Sequence, residues 1–179
     1  MHRVVVTDDY RNWGRVEALY KEAFGSSAKP AWVIENMFKK QMCSLYILEE
    51  NTEVLAFALA GRLGENKLLL IDYLAVDPLS QGKGLGYKLT QFIMEEAKKD
   101  NELEGVVLEA AADDQGAISF WQKCSFTRTS YAHQYKWVPE PYIALVHEFK
   151  SGTLSEVSPQ FLFELISKFH ANSFKRQKK

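Results

Sequence analysis

The chain has 179 residues, 46% of them hydrophobic and 25% charged, with 22 Lys+Arg against 23 Asp+Glu. That length suits one compact domain with a sizeable core, and the near-cancelling charge argues against a nucleic-acid binder that works by bulk electrostatics. Cys43 and Cys124 match no metal-ligand or redox spacing, so two free thiols in a reducing cytoplasm, and no metal, are expected. The first residues, MHRVVVTDDYRNW, lack the apolar segment of a signal peptide. The longest apolar run, LLLI at 68–71, is far too short to cross a bilayer, so no membrane partner is expected.

Residues 2–9 read as a first strand. Over 10–24, Val16, Leu19, Tyr20 and Phe24 recur near helical spacing, and Gly25 stops that helix. Residues 25–30, GSSAKP, form a turn-rich loop; a second helix restarts at 31, with Pro30 suited to its first turn. CSLYILEE and EVLAFALAGRL are strand-like and meet at Asn51–Thr52, which predicts a hairpin. LLLIDYLAV follows, almost wholly apolar, as a central strand covered on both faces is. Leu85, Leu89, Phe92, Ile93 and Ala97 then mark a helix, and GVVLEAA at 105–111 another strand. A helix between two strands implies a crossover and parallel pairing. DDQGAISFWQKC predicts a short helix with Asp113 or Asp114 near its start. Two late strands are joined through Pro139 and Pro141, and residues 159–170 predict an amphipathic helix with Phe161, Leu162, Leu165, Ile166 and Phe169 on one side. The ending KRQKK at 175–179 reads as a frayed, solubilising tail.

Between the buried strand and its helix lies VDPLSQGKGLGYKL, with Gly82, Gly84 and Gly86 at every second position. A helix N-terminus offers unpaired N–H groups and the positive end of the helix dipole. Glycines let phosphate oxygens approach that backbone closely. A nucleotide P-loop requires Gly-Lys-Ser/Thr, but Gly86 is followed by Tyr87 and Lys88. The dinucleotide fingerprint requires a third glycine where Tyr87 stands. The pattern Gln/Arg-x-x-Gly-x-Gly/Ala is met in full by Gln81, Gly84 and Gly86. The loop therefore reads as a pyrophosphate cradle.

The stretch LAVDPLSQGKGLGYKL resembles motif A of the GNAT superfamily of acyl-CoA-dependent N-acetyltransferases, and AISFWQKCSF at 117–126 is similar to that family's second conserved segment. The order of elements from Val4 to Phe149 agrees. The resemblance implies an α/β chain of the α+β type: a central mixed, twisted sheet with a parallel, splayed strand pair at the coenzyme site, flanked by helices. Residues 1–150 would form this domain. Residues 151–171 would carry a C-terminal amphipathic helix, packed on the domain or at a homodimer seam, and 172–179 the basic tail.

What the resemblance implies for the site is as follows. Backbone N–H groups of Gln81, Gly82, Lys83, Gly84, Leu85 and Gly86 hold the pyrophosphate of acetyl-CoA. Backbone at Leu74, Ala75 and Val76 pairs with the pantetheine arm, where the strand splays from 106–111. The Val76 N–H polarises the thioester carbonyl, and an amine attacks directly. Asp114, Ala117 and Trp121 lie against the coenzyme. Glu109 is the leading candidate for the base, since in the ribosomal-protein N-terminal acetyltransferases a glutamate ends this strand twelve residues before a tyrosine, as Glu109 stands before Trp121. Asp72 is the second candidate: a carboxylate in an apolar strand is functional or is paired with Arg62 or another cation.

Three departures from the family pattern stand out. Its tyrosine falls at Trp121, which cannot donate a proton at useful pH; its asparagine is Asp114; and its glycine is Ser125. Tyr131, His133 and Tyr135 share one strand face and either supply that proton or pack the core. The acceptor site is expected to draw on Trp32, Asp72, Tyr131 and Trp137, with Glu140, Tyr142 and Asp113 nearby, which suits a cationic amine. The leading function is acetyl transfer from acetyl-CoA to a primary amine; the alternative is a coenzyme-A-binding regulatory or interaction module that has lost catalysis.

Overall fold

The computed structural model describes residues 1–178; Lys179, the last of the basic tail, lies outside the described residues. In chain order the strands are β1 (Arg3–Thr7), β2 (Ser44–Glu50), β3 (Glu53–Arg62), β4 (Leu68–Val76), β5 (Gly105–Ala111), β6 (Thr127–His133) and β7 (Tyr142–Glu148). The helices are α1 (Glu17–Phe24), α2 (Ala31–Lys39), α3 (Leu85–Lys98), α4 (Gln115–Lys123) and α5 (Pro159–Phe174). The described strands form one mixed sheet in the order β1-β2-β3-β4-β5-β7-β6. Parallel pairing joins Leu68–Leu70 to Gly105–Val107, as the strand–helix–strand pattern requires. The β2–β3 hairpin turns at Asn51 and Thr52, both at positive φ (49° and 70°), the backbone that a two-residue hairpin demands. No helix among the described residues is long and apolar enough to cross a membrane.

The chain divides into two compact units, the first made of Met1–Gly61, Ile71–Ile93 and the residues from His170, the second of Arg62–Leu70 and Met94–Phe169. In the first, the expected helix over 10–24 is split. Asp9 caps a 3-10 segment, Tyr10–Arg15, before α1 begins. The Val16 N–H bonds back three residues to Trp13, and this tighter winding brings both side chains into the core, at 2% and 0% exposed. An aromatic chain follows: Trp13 meets Tyr20 at 4.9 Å, and Tyr20 meets Tyr73 edge-on at 4.9 Å. Such pairs add about 0.5–1.5 kcal/mol beyond their area.

The end of α5 is anchored in this unit, while residues 175–178 beyond it are exposed and outside regular structure. Asn36 on α2 donates to the carbonyls of Ser173 (2.7 Å) and Lys175 (3.0 Å). The Lys40 ammonium donates to the carbonyls of Asn172 (2.6 Å) and Lys175 (3.0 Å). A cation beside the orphan carbonyls at a helix C-terminus satisfies them and opposes the dipole. Trp32 stands edge-on to Phe174 at 5.8 Å, and the Arg176 guanidinium lies 4.8 Å over its ring.

In the second unit β7 runs antiparallel to both β5 and β6. Gly105 has no room for a side chain: a Cβ there would stand 2.6 Å from the His147 carbonyl oxygen. Asp114 caps α4, accepting from the Ala117 N–H at 3.0 Å. On α5 the buried stripe is Leu162, Phe163, Leu165, Ile166 and Phe169, while Phe161 is 40% exposed. At about 100° per residue, 161 and 163 flank the stripe of 162, 165, 166 and 169 on opposite sides; tertiary contacts decide between them, with Phe163 packed on Tyr131 and His133.

Glu49 on β2 ties three segments of the first unit together. Its carboxylate is 1% exposed and accepts from both Arg3 on β1 and Arg15 in the 3-10 segment. These two bonds, Arg15 first, hold the carboxyl below its ordinary 4.5 against the opposing cost of burial. A depressed folded-state value stabilises the protein above pH 4.5, and that stability is lost as pH falls through the folded value. Glu49→Gln is expected to lower the midpoint of thermal unfolding at neutral pH, by about 1–3 kcal/mol of stability. It should also flatten the acid limb of a stability–pH curve, measured by calorimetry from pH 7 to 3.

Candidate functional site

At the end of β4 the chain turns away through Asp77. Its N–H bonds to the Leu55 carbonyl at 2.9 Å, its carboxylate accepts from the Leu79 N–H at 3.1 Å, and its carbonyl accepts from the Ser80 N–H at 2.8 Å. Gln81 folds back and donates its amide to the Val76 carbonyl at 3.3 Å, latching the loop to the strand end. Gly82 and Gly84 then adopt φ of +76° and +75°, a region that L-residues with side chains enter at a cost. A Cβ at either would meet nothing within 4 Å. The glycines are therefore required by backbone conformation, and the space above them is open. The first bond of α3 is from the Lys88 N–H to the Gly84 carbonyl, at 3.0 Å. The N–H groups ahead of it, at 85–87, face the mouth of a fourteen-residue helix. Gly86 and Leu85 are buried, whereas residues 81–84 are exposed.

Asp72, on β4, has a side chain only 4% exposed, and its partner is Lys29, at 2.5 Å and 7% exposed. The cation is thus Lys29 from the turn-rich loop, not Arg62, which pairs with Asp100 and Glu102. The Lys29 ammonium also lies 5.6 Å over the Tyr73 ring, and the Lys29 N–H donates to the Tyr73 hydroxyl at 3.3 Å. His170 Nδ1 stands 3.9 Å from the second oxygen of Asp72. Burial, then Asp72, pushes the Cys43 thiol up to about 12, which keeps it protonated and unreactive. The ion pair fastens loop 25–30 to β4. An isolated lysine before a proline carries no periodic signal, so sequence reading misses Lys29. The lone charge in an apolar strand does announce that some cation must come.

Glu109, on β5, accepts from the Tyr135 hydroxyl at 2.5 Å. Burial, then the Glu109 charge, pushes the Tyr135 phenol well above its ordinary range, while a hydrogen bond from Ser167 on α5 opposes this. Tyr135 follows the end of β6 in a turn held by Gln134, whose amide donates to the carbonyls of Tyr135 (3.1 Å) and Val138 (2.7 Å). Trp137, 69% exposed, stacks on Tyr135 at 4.8 Å. Tyr142 is also raised, by burial and then by the carboxylates of Glu109, Glu140 and Asp113. One face of the second unit thus combines aromatic rings with negative charge. Tyr131 and His133 do share a face with Tyr135; Tyr131 contacts Phe163 at 5.9 Å and His133 stacks on it at 4.7 Å.

The remaining expected residues take local roles that explain the departures noted in the sequence. Trp121 is 9% exposed and packs edge-on against Phe120 and Phe126 at 4.9 and 5.4 Å. Asp114 and Ala117 form the cap of α4. Ser125 holds φ +70°, the conformation that glycine adopts most readily. Leu74 and Val76 are half-buried and Ala75 buried; Lys83 donates to the Leu79 carbonyl at 3.2 Å.

The acetyltransferase (GNAT) family model matches residues 13–126; no curated protein matches by sequence. Among solved structures, the ribosomal-protein-S18-alanine N-acetyltransferase from Escherichia coli is 18% identical with a TM-score of 0.66, covering 83% of this chain and 94% of its own. NAA60 of Arabidopsis thaliana, in complex with acetyl-CoA, is 14% identical with a TM-score of 0.69, covering 83% and 99%. An N-acetyltransferase from Staphylococcus aureus Mu50 is 21% identical with a TM-score of 0.66, covering 84% and 99%. These are likenesses of fold.

Two substitutions test the cradle and the ion pair. Gly84→Glu, which places a strained, negative side chain where φ is +75°, is expected to abolish coenzyme A binding in calorimetric titration while the far-ultraviolet circular dichroism stays unchanged. Asp72→Asn leaves the Lys29 ammonium buried without its counter-charge. It should cost about 3–5 kcal/mol of stability, and Lys29→Met in the same chain should restore most of it, both read by chemical denaturation.

Proposed function

Because the chain belongs to the GNAT acetyltransferase family, we propose that it transfers an acetyl group from acetyl-CoA to a primary amine, on a small cationic metabolite or a peptide, within one ternary complex. The observation that carries this reading is the open cradle of Gly82 and Gly84, both at positive φ, at the mouth of α3. The residues fit the group: backbone N–H groups from Gln81 to Gly86 would hold a pyrophosphate, and the backbone of Leu74–Val76 would pair with the amides of the pantetheine arm. When bound, acetyl-CoA supplies an activated thioester.

The rest of the task falls to the chain's own groups. The Val76 N–H would polarise a carbonyl as a backbone oxyanion donor. An ammonium with a reference pKa of about 10.4 must first lose a proton, at a cost near neutral pH of roughly 4–5 kcal/mol. Glu109 is the better acceptor of that proton. Asp72 is already held by the buried Lys29 ammonium at 2.5 Å, and the Tyr135 hydroxyl donates to Glu109. The cationic acceptor class is favoured by the negative field that Glu109, Glu140 and Asp113 exert at Tyr142 and by the exposed ring of Trp137. Trp32 already carries a guanidinium over its face, so its ring accepts cations. In the E. coli relative the acetylated group is, by its name, an alanine of a ribosomal protein. A second reading, a coenzyme-A-binding module without turnover, is favoured by the buried Trp121, which has no proton to give.

Free-thiol release from acetyl-CoA, followed with polyamines, aminoglycosides, amino acids and peptides, separates the two. Turnover with a cationic amine is expected, and Glu109→Gln should lower kcat by about a hundredfold or more without weakening coenzyme A binding. Saturable binding with no turnover on any amine supports the second reading instead.

A further inference from the structure

The hydrogen bond from Tyr135 to Glu109 raises a mechanical question. Tyr135 lies beyond the last residue of β6, in a turn, and a turn residue is not by itself a precise support. Yet it is only 6% exposed, and rings on several sides grip it, Tyr142 edge-on at 5.7 Å among them. His133 meets the ring edge-on at 4.6 Å, Trp137 stacks on it at 4.8 Å and 28°, Phe163 meets it edge-on at 6.2 Å, and Ser167 hydrogen bonds to its hydroxyl. Phe163 and Ser167 are four residues apart on α5, hence on one face of that helix. Phe163, 1% exposed, also stacks on His133 at 4.7 Å and 15°. One face of the C-terminal helix therefore fixes both the ring and the oxygen of Tyr135.

We propose that Tyr135 is a positioning residue for the proton-accepting carboxylate of Glu109, and that α5, through Phe163 and Ser167, belongs to the catalytic machinery as its support. The inference rests on the reading of Glu109 as the base. The terminal carboxylate torsion of a glutamate is broad and roughly two-fold. A phenol donor at 2.5 Å on Oε2 selects one orientation of that plane. During proton transfer an N–H bond of the ammonium breaks and an O–H bond forms on Glu109. The proton of Tyr135 stays on its own oxygen, because burial keeps the phenol un-ionised. Tyr135 thus moves no proton itself; it holds the group that does.

Tyr135→Phe removes only the O–H and keeps the ring packing. It is expected to lower kcat by about ten- to a hundredfold, the rate equivalent of one charge-assisted hydrogen bond, with the KM for acetyl-CoA and the thermal midpoint little changed. In a Glu109→Gln background the same change should cost nothing further, as it must if Tyr135 acts through Glu109. Ser167→Ala should give a smaller loss that likewise vanishes once Tyr135 is phenylalanine. In 13C-glutamate-labelled protein without any amine, the Glu109 carboxylate resonance, identified by its loss in Glu109→Gln, should move in both Tyr135→Phe and Ser167→Ala. An unmoved resonance, or equal losses in both backgrounds, overturns the proposal while leaving Glu109 as the base. Full turnover in Glu109→Gln overturns the base assignment and this inference together.

Discussion

A carboxylate withdrawn from water must be matched, and the kind of match decides what the group can do. Three carboxylates in this chain meet three different partners. Glu49 takes two guanidiniums and becomes a structural tie. Asp72 takes an ammonium and fastens a loop to a strand. Glu109 accepts from the Tyr135 phenol. A hydrogen bond of that kind fixes the orientation of a carboxylate plane, which positioning a proton acceptor requires. The division of labour follows from the partners rather than from the residue type.

The glycine loop obeys a different constraint. Here a buried strand must hand over to a helix in a few residues, and the chain does so through two left-handed positions, at 82 and 84. The helix that follows these left-handed positions adds its own first-turn amides and its dipole. No side chain is needed to make such a surface attractive to anions. Asp77 and Gln81 serve it from below, one by terminating the strand and the other by latching the loop to the Val76 carbonyl.

Much of this was legible in the sequence because it depends on local rules. Near-continuous apolar runs marked β2 and β3, turn chemistry marked Asn51–Thr52, and the glycines at 82 and 84 marked the left-handed turn into α3. Asp72 signalled the presence of a counter-charge, since an apolar strand cannot hold a lone carboxylate. Its identity was not legible: Lys29 lies 43 residues away in a loop, and partner choice across such a distance is settled by tertiary packing. The same applies to Ser167, one polar residue among the apolar positions of a helix. The splitting of the first helix was likewise hidden, because a 3-10 segment and an α-helix present nearly the same apolar spacing over six residues. The contacts near the tail were hidden for a related reason: residues 175–178 are exposed, yet the Lys175 carbonyl accepts from Asn36 and Lys40 and the Arg176 guanidinium lies over Trp32.

The family match ends at residue 126, and that limit has a structural meaning. The cradle and Glu109 fall inside the matched span. Tyr135, Trp137, Tyr142 and the whole of α5 fall outside it; Tyr135 bonds to Glu109 and the rings of Trp137 and Tyr142 pack on Tyr135. A coenzyme site built from backbone amides tolerates wide sequence change, since its chemistry is common to every residue. An acceptor site has no such freedom: each amine differs in shape and charge, and side chains must answer it. The proposed acceptor residues are side chains of this kind, and those on β6 and in the turn after it lie beyond the matched span. What distinguishes the protein within its fold is therefore to be sought in how α5 holds the residues that hold Glu109.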